Sequence, residues 1–541
     1  MIPTSPLGRF FAALFAAGLL YSFAMLARPD VHFLSRPFIE DAFYSLSVAR
    51  SLGQGLGMTI DGRTPTNGVQ PLICFLNAPA FAIAGDDLYL ALRMTLGLQV
   101  LLAGLAALAV ARFAVSLLGA TTGDAPTEDV ARPDAARRVR SETFWIVAGT
   151  IASSYSLLVH LQNGLETSLA VALAFIAMAM YIERIARRPD APIAEFARVG
   201  ALLGLGVLAR IDVAILAMTI AGWHLLTARG HGRRTPALAG AAVIGLVSLL
   251  VSLPWWLYNV IGFGHLMPTS GLAQQDLLTD RLRSVDLVVR GVSNALLLVL
   301  HAPGDVEGPI AYIGLLLVAA VSAIMFAVTP LRRWAGDALR SLRREVEPAR
   351  AVPLALFVVI LAAYYTLFFG APHFIPRYLT PMWLLLSVAM LLVLHALWRA
   401  APERGARRTV LLALAVIAFS ASAVAASRSF TREGLYTNVM LFPAEWIGAH
   451  TSATDRIGMF QSGTTGFLYR RVTNLDGKVN TRALAAMRSG GLARFVDSAS
   501  FDYIIDLDFY TRHIFRDRRL LARYEPIDTL PLDFIVWRRR D

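Results

Sequence analysis

Glu40 and Asp41 stand side by side just after the first long apolar run, followed by Ala42, Phe43 and Tyr44. Behind them come Gly53, Gly55 and Gly57, then Asp61-Gly62, then Thr64-Pro65-Thr66-Asn67-Gly68 running on to Pro71. Ionisable groups at the edge of a lipid-embedded domain are costly to hold there and tend to mark function. Two carboxylates so placed offer a general base with a supporting acid beside it. The competing reading, two solvated acids at the head of a helix, needs nothing but water. Adjacent residues point about 100° apart around a helix, so at most one of the pair faces a given cavity directly.

Arginine supplies the second kind of chemistry. Arg210, in Ala209-Arg210-Ile211-Asp212, lies between two apolar runs and needs an anionic partner there, either a ligand or Asp212. Arg377, in His373-Phe374-Ile375-Pro376-Arg377-Tyr378, heads another apolar run, where ordinary snorkelling is the alternative to a site role. Glu166 follows Asn163-Gly164-Leu165 and reads first as a helix-start acid favoured by the dipole. Asp476 and Asn480 sit in Asn474-Leu475-Asp476-Gly477-Lys478-Val479-Asn480, either a polar hydroxyl-binding loop or a plain Asx-type turn. His160 and His265 read as interfacial polar residues, and no His, Asp or Glu spacing reaches metal-site specificity. The Trp255-Trp256 pair reads as an interfacial aromatic anchor.

The elements that must position these groups are apolar. The chain has 541 residues, 56% of them hydrophobic, with a mean hydropathy of +0.56, which marks a polytopic membrane protein with room for a soluble appendage. Charged residues make up 16%, and the formal charge of +12 comes almost wholly from arginine, Lys478 being the one lysine. The arginines sit in short loops flanking apolar spans, so the positive-inside rule explains the charge better than nucleic-acid binding does. Cys74 is the single cysteine, which excludes an intrachain disulfide and a thiolate metal cluster. Arg9 precedes the first run and no small-residue cleavage site follows it, so that run is expected to be a retained span.

Hydropathy predicts about eleven crossings: 10–27, 88–113, 143–161, 169–182, 199–209, 213–226, 237–256, 310–328, 354–369, 379–397 and 410–426. Residues 72–84 are too short to cross and read as a re-entrant or interfacial helix, and 287–300 as a surface helix. The connection between 310–328 and 354–369 reads as the most basic cytoplasmic loop, with Arg332, Arg333, Arg340, Arg343 and Arg344. The N-terminus is expected inside and the C-terminus outside. Past residue 427 the composition becomes that of a soluble domain. Strands are expected at 456–460, 472–475 and 503–507, with helical runs at 463–469, 481–489 and 491–498, making a small α/β unit. The expected division is therefore a membrane domain over 1–427, with a first external loop at 28–87, and a C-terminal extracytoplasmic domain over 428–541.

The ordered set of motifs carries a resemblance. Acid-acid-Ala-aromatic-Tyr after span one, then Gly-x-Gly, Asp-Gly, and Thr66-Asn67-Gly68 two residues before Pro71-Leu72, resembles the integral-membrane glycosyltransferases of the GT-C superfamily. The architecture is similar to that of aminoarabinose transferases, protein O-mannosyltransferases and mycobacterial arabinofuranosyltransferases. The likeness covers the membrane part and the placement of the C-terminal domain. It implies transfer, with inversion, of one sugar from a polyprenyl-phosphate-linked donor to a glycan, lipid or protein acceptor, on the extracytoplasmic side of a bacterial inner membrane. It implies a first-loop acid as base, either Glu40 or Asp41; the superfamily register leans to Glu40, although Asp is the usual residue there. Arg210, by its place between two apolar runs, and Arg377 and His373, by similar His/Arg-Tyr placements in relatives, are the candidates at the donor phosphate. Tyr44, Asn67, Gln70, Glu166, Asp476 and Asn480 are the candidates at substrate, and a divalent cation stays open because some relatives hold one with external-loop carboxylates, here Glu166. Relatives carry a basic residue just before the Pro-Leu segment; here Val69 and Gln70 stand in that place, so phosphate contacts must come from elsewhere. Two other classes remain: a transporter or flippase of lipid-linked sugars, which should show paired halves not evident here, and an inactive scaffold that binds polyprenyl lipid.

Overall fold

The computed structural model of the protein describes residues 1–119, 133–188, 191–229, 234–275, 281–297, 312–369, 375–402, 405–431 and 438–540. Ser5 starts the first helix: its hydroxyl accepts a hydrogen bond from the Gly8 N–H at 3.1 Å, and Pro6 brings no N–H to satisfy. After α1 (Pro6–Ala24) the chain enters α2 (Glu40–Gly53), α3 (Pro71–Ala84) and α4 (Leu88–Leu117), the last capped by the Asp87 carboxylate at the Leu90 N–H. α3 has 14 residues, roughly 21 Å at the α-helical rise, short of the ~30 Å hydrocarbon core, which agrees with its reading as a non-spanning helix. α5 (Pro133–Ser153) and α6 (Tyr155–Leu161) divide at Ser154 the segment expected as one span over 143–161.

There follow α7 (Thr167–Met180), α8 (Ile193–Ala209), α9 (Val213–Arg229), α10 (Arg234–Phe263), α11 (Thr269–Gln275) and α12 (Arg281–Leu297). α12 packs against later helices of the bundle instead of lying alone on its surface. α13 (Ile313–Ala327) bends by 108° into α14 (Thr329–Glu345). The stretch expected as a basic loop is thus a helix. Its arginines alternate with Leu331, Trp334, Ala338 and Leu342, an apolar stripe that the charge count concealed. α15 (Val352–Leu367), the single turn α16 (Ile375–Tyr378), α17 (Thr380–Arg399) and α18 (Ala406–Thr431) complete the helical part. Six helices among the described residues are long and apolar enough to cross a membrane, or seven if the bent pair is one span. The expected count of about eleven also includes shorter segments such as α8 and α9, each of 17 residues. The largest buried apolar cluster joins α4, α5, α7, α8, α15 and α17.

The C-terminal part opens with α19 (Leu441–His450) and then β1 (Ile457–Met459), α20 (Gly463–Leu468), β2 (Val472–Asn474), α21 (Thr481–Arg488), α22 (Leu492–Ala499) and β3 (Tyr503–Leu507). α23 (Asp508–Ile514), α24 (Arg518–Arg523), β4 (Tyr524–Leu530) and β5 (Phe534–Arg539) close it. The sheet order is β2-β1-β3-β5-β4, parallel on one side of β3 and antiparallel on the other. The sequence analysis assigned no strand to β4 or β5; β4 is an edge strand whose residues are largely exposed and do not alternate. Phe467 of α20 packs on Phe43 of α2 at 5.4 Å and on Phe81 of α3 at 6.0 Å, seating this part on the helical one.

Candidate active site

α2 begins where Ile39 is still extended, so Glu40 and Asp41 occupy the first helical turn, where the dipole favours anions. The Ile39 N–H donates to the Asn163 carbonyl at 3.2 Å and holds that turn against the chain leading into α7. The two acids then part. Glu40 faces the start of α20: its carboxylate accepts from the Gly463 N–H at 2.5 Å, from the Thr464 N–H at 3.1 Å and from the Thr464 hydroxyl. Residue 463 has to be glycine, because a Cβ there would lie 2.3 Å from the Glu40 carbonyl oxygen. Burial pushes the Glu40 carboxyl above the usual range, against the pull of the Thr464 and Gly463 donors.

Asp41 lines a cavity of about 420 Å³ together with Glu166, Arg210, Asp212, Arg377 and Lys478. One of its carboxylate oxygens is 3.6 Å from Arg377 Nη1 and the other 3.7 Å from Lys478 Nζ. Tyr44, one turn further along α2, is buried; its hydroxyl accepts from the Ser462 N–H at 3.3 Å and the Asn474 amide at 3.4 Å. The site is therefore built by both parts of the chain.

Arg210 and Arg377 converge on Tyr378. Arg210 donates from Nε to Asp212 at 3.0 Å and from Nη2 to the Tyr378 carbonyl at 2.8 Å, so the internal ion pair forms while the guanidinium still lines the cavity. Asp212 also accepts from the Tyr365 hydroxyl at 3.2 Å, and the Tyr365 and Tyr378 rings stack at 4.6 Å. The two guanidiniums lie 5.0 and 4.8 Å from the Tyr378 ring centroid, and Arg377 donates to the Tyr378 hydroxyl at 3.0 Å.

The remaining expected residues divide. Gln70 and Glu166 line the cavity. Asn67 does not: it is fully buried, its amide taken up by Asn259 and Thr269, and it ties the first loop to α10 and α11. Asp476 accepts the Lys478 N–H at 2.9 Å, and Asn480 caps α21 through the Arg482 and Ala483 N–H groups, which is the Asx-turn arrangement. His373 lies outside the described residues. His160 lines a second cavity, and His265 donates to the Met267 carbonyl at 2.6 Å. Trp255 is buried and stacks on Tyr258 at 5.5 Å, while Trp256 lines the first cavity, so the pair turns inward instead of forming a surface anchor. Sequence reasoning overlooked Lys478, Tyr365 and Trp256 as cavity residues. Lys478 carried a signal, being the lone lysine in an arginine-rich chain.

Among the described residues no three His, Cys, Asp or Glu side chains come together as a metal-binding group. Asp41 is already flanked by two cations, and the donor set does not fit a divalent ion.

Asp506, at the end of β3, orders the strand end that leads to Ser462 and Thr464. Its carboxylate accepts the Phe460 N–H at 2.7 Å, the Gln461 N–H at 2.8 Å and the Leu507 N–H at 2.8 Å. Burial, outweighing those donors, pushes it from 3.8 up to about 7. A carboxyl raised in the folded state stabilises while protonated, and that contribution fades as pH climbs from the ordinary value through the raised one. The full protein is expected to lose up to about 4 kcal/mol between pH 4 and 7 relative to Asp506→Asn. Thermal unfolding of both across that window checks it; parallel profiles would contradict it.

Neither a protein-family model nor a curated protein sequence matches the chain. Solved structures do match its fold. ArnT from Cupriavidus metallidurans, bound to undecaprenyl phosphate, is similar with a TM-score of 0.55 at 13% identity, over 98% of this chain and 97% of that one. The apo state of the same protein is similar with a TM-score of 0.54 at 13% identity, over 98% of each chain. The Archaeoglobus fulgidus oligosaccharyltransferase, tethered with an acceptor peptide, is similar with a TM-score of 0.52 at 10% identity, over 98% of this chain and 74% of that one. The chain is a multi-pass membrane protein with the fold of the GT-C glycosyltransferases, including the small C-terminal α/β part.

Proposed function

We propose that this protein transfers a sugar from a polyprenyl-phosphate-linked donor to a hydroxyl of a glycan, lipid or protein acceptor, on the extracytoplasmic face of a bacterial inner membrane. The observation that carries the reading is Asp41, set in a cavity wall between Arg377 and Lys478, in a chain with the GT-C fold. The bound undecaprenyl phosphate of ArnT and the tethered acceptor peptide of the archaeal enzyme supply the two ligand classes by likeness.

Asp41 takes the proton of the acceptor hydroxyl as its oxygen attacks the anomeric carbon. The bond from that carbon to the phosphate oxygen breaks, and the electron pair leaves with the polyprenyl phosphate. Attack opposite the leaving group inverts the anomeric centre. Arg377 takes up the charge of the departing phosphate, its planar fork suiting two oxygens, with Arg210 beside it across the Tyr378 ring. A second cavity of about 450 Å³, lined by Tyr21, Phe38, Tyr155 and His160, adjoins the first; Arg377 lines both, and Glu40 the second. We place the donor in the first chamber, and the acceptor entering from the second past Arg377, the residue common to both, so that its hydroxyl reaches Asp41. Gln70, Glu166 and Tyr44 bound the donor side, and Asp476 and Asn480 act through the turn that holds Lys478. Residues 1–427 form the membrane domain and 428–541 the extracytoplasmic one.

Arg377→Ala is expected to weaken undecaprenyl phosphate binding by about tenfold or more, since a charged hydrogen-bond partner is lost. Arg377→Lys should recover only part of it, having no fork. Titration of the protein in nanodiscs measures both, and unchanged affinity would take Arg377 out of the site. Mass analysis of surface glycans from cells with and without the protein tests the transfer itself; identical profiles would count against it.

A further inference from the structure

We infer that Lys478 is a ligand of the donor's phosphate, carried into the membrane-domain cavity by the C-terminal unit; the inference rests on the polyprenyl-phosphate reading above. The turn that presents it is held from within. The Asn474 side chain accepts the Gly477 N–H at 3.1 Å, Asp476 accepts the Lys478 N–H at 2.9 Å, and the Asn480 amide donates to the Asn474 carbonyl at 2.8 Å. It is also held from the membrane side. Gly68 lies so close beneath it that a Cβ there would come within 1.9 Å of the Lys478 carbonyl oxygen. The wall at this point is Gly68, Val69 and Gln70, none of them charged, whereas Arg210 and Arg377 both stand at Tyr378. Among the described residues Lys478 is therefore the cation that the cavity has on its Gly68–Gln70 side.

The ammonium group is held in a demanding place. The side chain is 15% exposed, with Nζ 3.2 Å from Asp476, 3.7 Å from Asp41 and 6.0 Å from the centre of the Tyr44 ring. Burial works against a charged amine, and two carboxylates keep it charged. An ion pair of purely structural use can be exchanged for apolar side chains at little loss, so a buried lysine facing a cavity calls for a task. The spacing suggests which. Lys478 and Arg377 stand on the two oxygens of Asp41, at 3.7 and 3.6 Å, one cation to each. A phosphate received between these two cations would bring its sugar carbon beside Asp41. The C-terminal unit is then a part of the donor site, and not only a cover over it.

Because Lys478 is the only lysine, reductive methylation with ¹³C-formaldehyde marks it and the N-terminal amine alone. In the full-length protein in nanodiscs, the dimethyl-Lys478 resonance should move on titration with undecaprenyl phosphate. It should stay still with undecaprenol, the neutral alcohol, and move only at far higher concentration with inorganic phosphate, which separates a lipid-linked from a free anion. Lys478→Met should bind undecaprenyl phosphate about tenfold or more weakly, and Lys478→Arg, which keeps a cation opposite Asp41 and Asp476, should restore most of it; the Met variant also loses stability by unpairing those carboxylates, so affinities are compared at a temperature at which the unfolding midpoints show both variants folded. Wild-type protein that binds the lipid while the Lys478 signal is unmoved, or moves equally with the alcohol, overturns the assignment. So does a Met variant that binds as tightly as wild type. Wild-type protein that does not bind undecaprenyl phosphate at all overturns the donor reading instead, and the assignment with it.

Discussion

Asp41→Asn is expected to lower sugar transfer by about two to four orders of magnitude, the usual scale for a general base, with protein level and donor binding kept. The amide preserves size and removes basicity at the carboxylate that lines the cavity between Arg377 and Lys478. Glu40→Gln should behave differently. Glu40 accepts from the Gly463 N–H, the Thr464 N–H and the Thr464 hydroxyl, and a glutamine turns an NH₂ group toward donors it cannot satisfy. Its effect should be a loss of stability of about 1–3 kcal/mol, the range for an unsatisfied buried partner, with a smaller loss of transfer. Rate constants and unfolding midpoints of the two variants separate base from docking residue. Near-normal transfer in Asp41→Asn and in the double variant would sink the catalytic reading and leave a transporter or lipid-binding scaffold in its place.

The second large effect belongs to the Arg210–Asp212 pair. Asp212→Ala leaves the Arg210 guanidinium buried without its carboxylate and removes the acceptor of the Tyr365 hydroxyl. Breaking a buried pair from one side costs about 3–5 kcal/mol. Replacing both partners, as Arg210→Met with Asp212→Leu, should recover most of that stability, because no uncompensated charge remains. Donor binding should stay weak in the double variant, since the cavity has lost one of its guanidiniums. Unfolding in detergent and lipid titration together read the two consequences. A single variant as stable as wild type would show that the pair does not hold the stacked Tyr365 and Tyr378 rings in place.

Much of the architecture was legible because its signals are local. An apolar run long enough to bury its own backbone hydrogen bonds in lipid declares a helix whatever surrounds it, as in α4, α10 and α17. Pro71 opening α3 and the run 503–507 forming β3 are likewise properties of short segments. Where the local signal was mixed, the reading slipped. The arginines of α14 masked its apolar stripe, and nothing in 143–161 announced the break at Ser154.

Within the site, the sequence alone determined that two acids open a helical run beside a Gly- and Asn-rich loop, that Arg210 has Asp212 within reach, and that Arg377 heads a span. It could not say which acid meets the cavity. Glu40 is claimed by backbone N–H groups of Gly463 and Thr464, more than 400 positions away, and that contact turns Asp41 toward Arg377. Nor could it say that Lys478, in what reads as a plain turn, reaches the same cavity, or that Asn67 is taken up by Asn259 and Thr269. Backbone conformation and membrane insertion follow from neighbours along the chain. The facing of a side chain follows from which distant partners satisfy its hydrogen bonds and charge on burial, and only the tertiary structure brings those partners together.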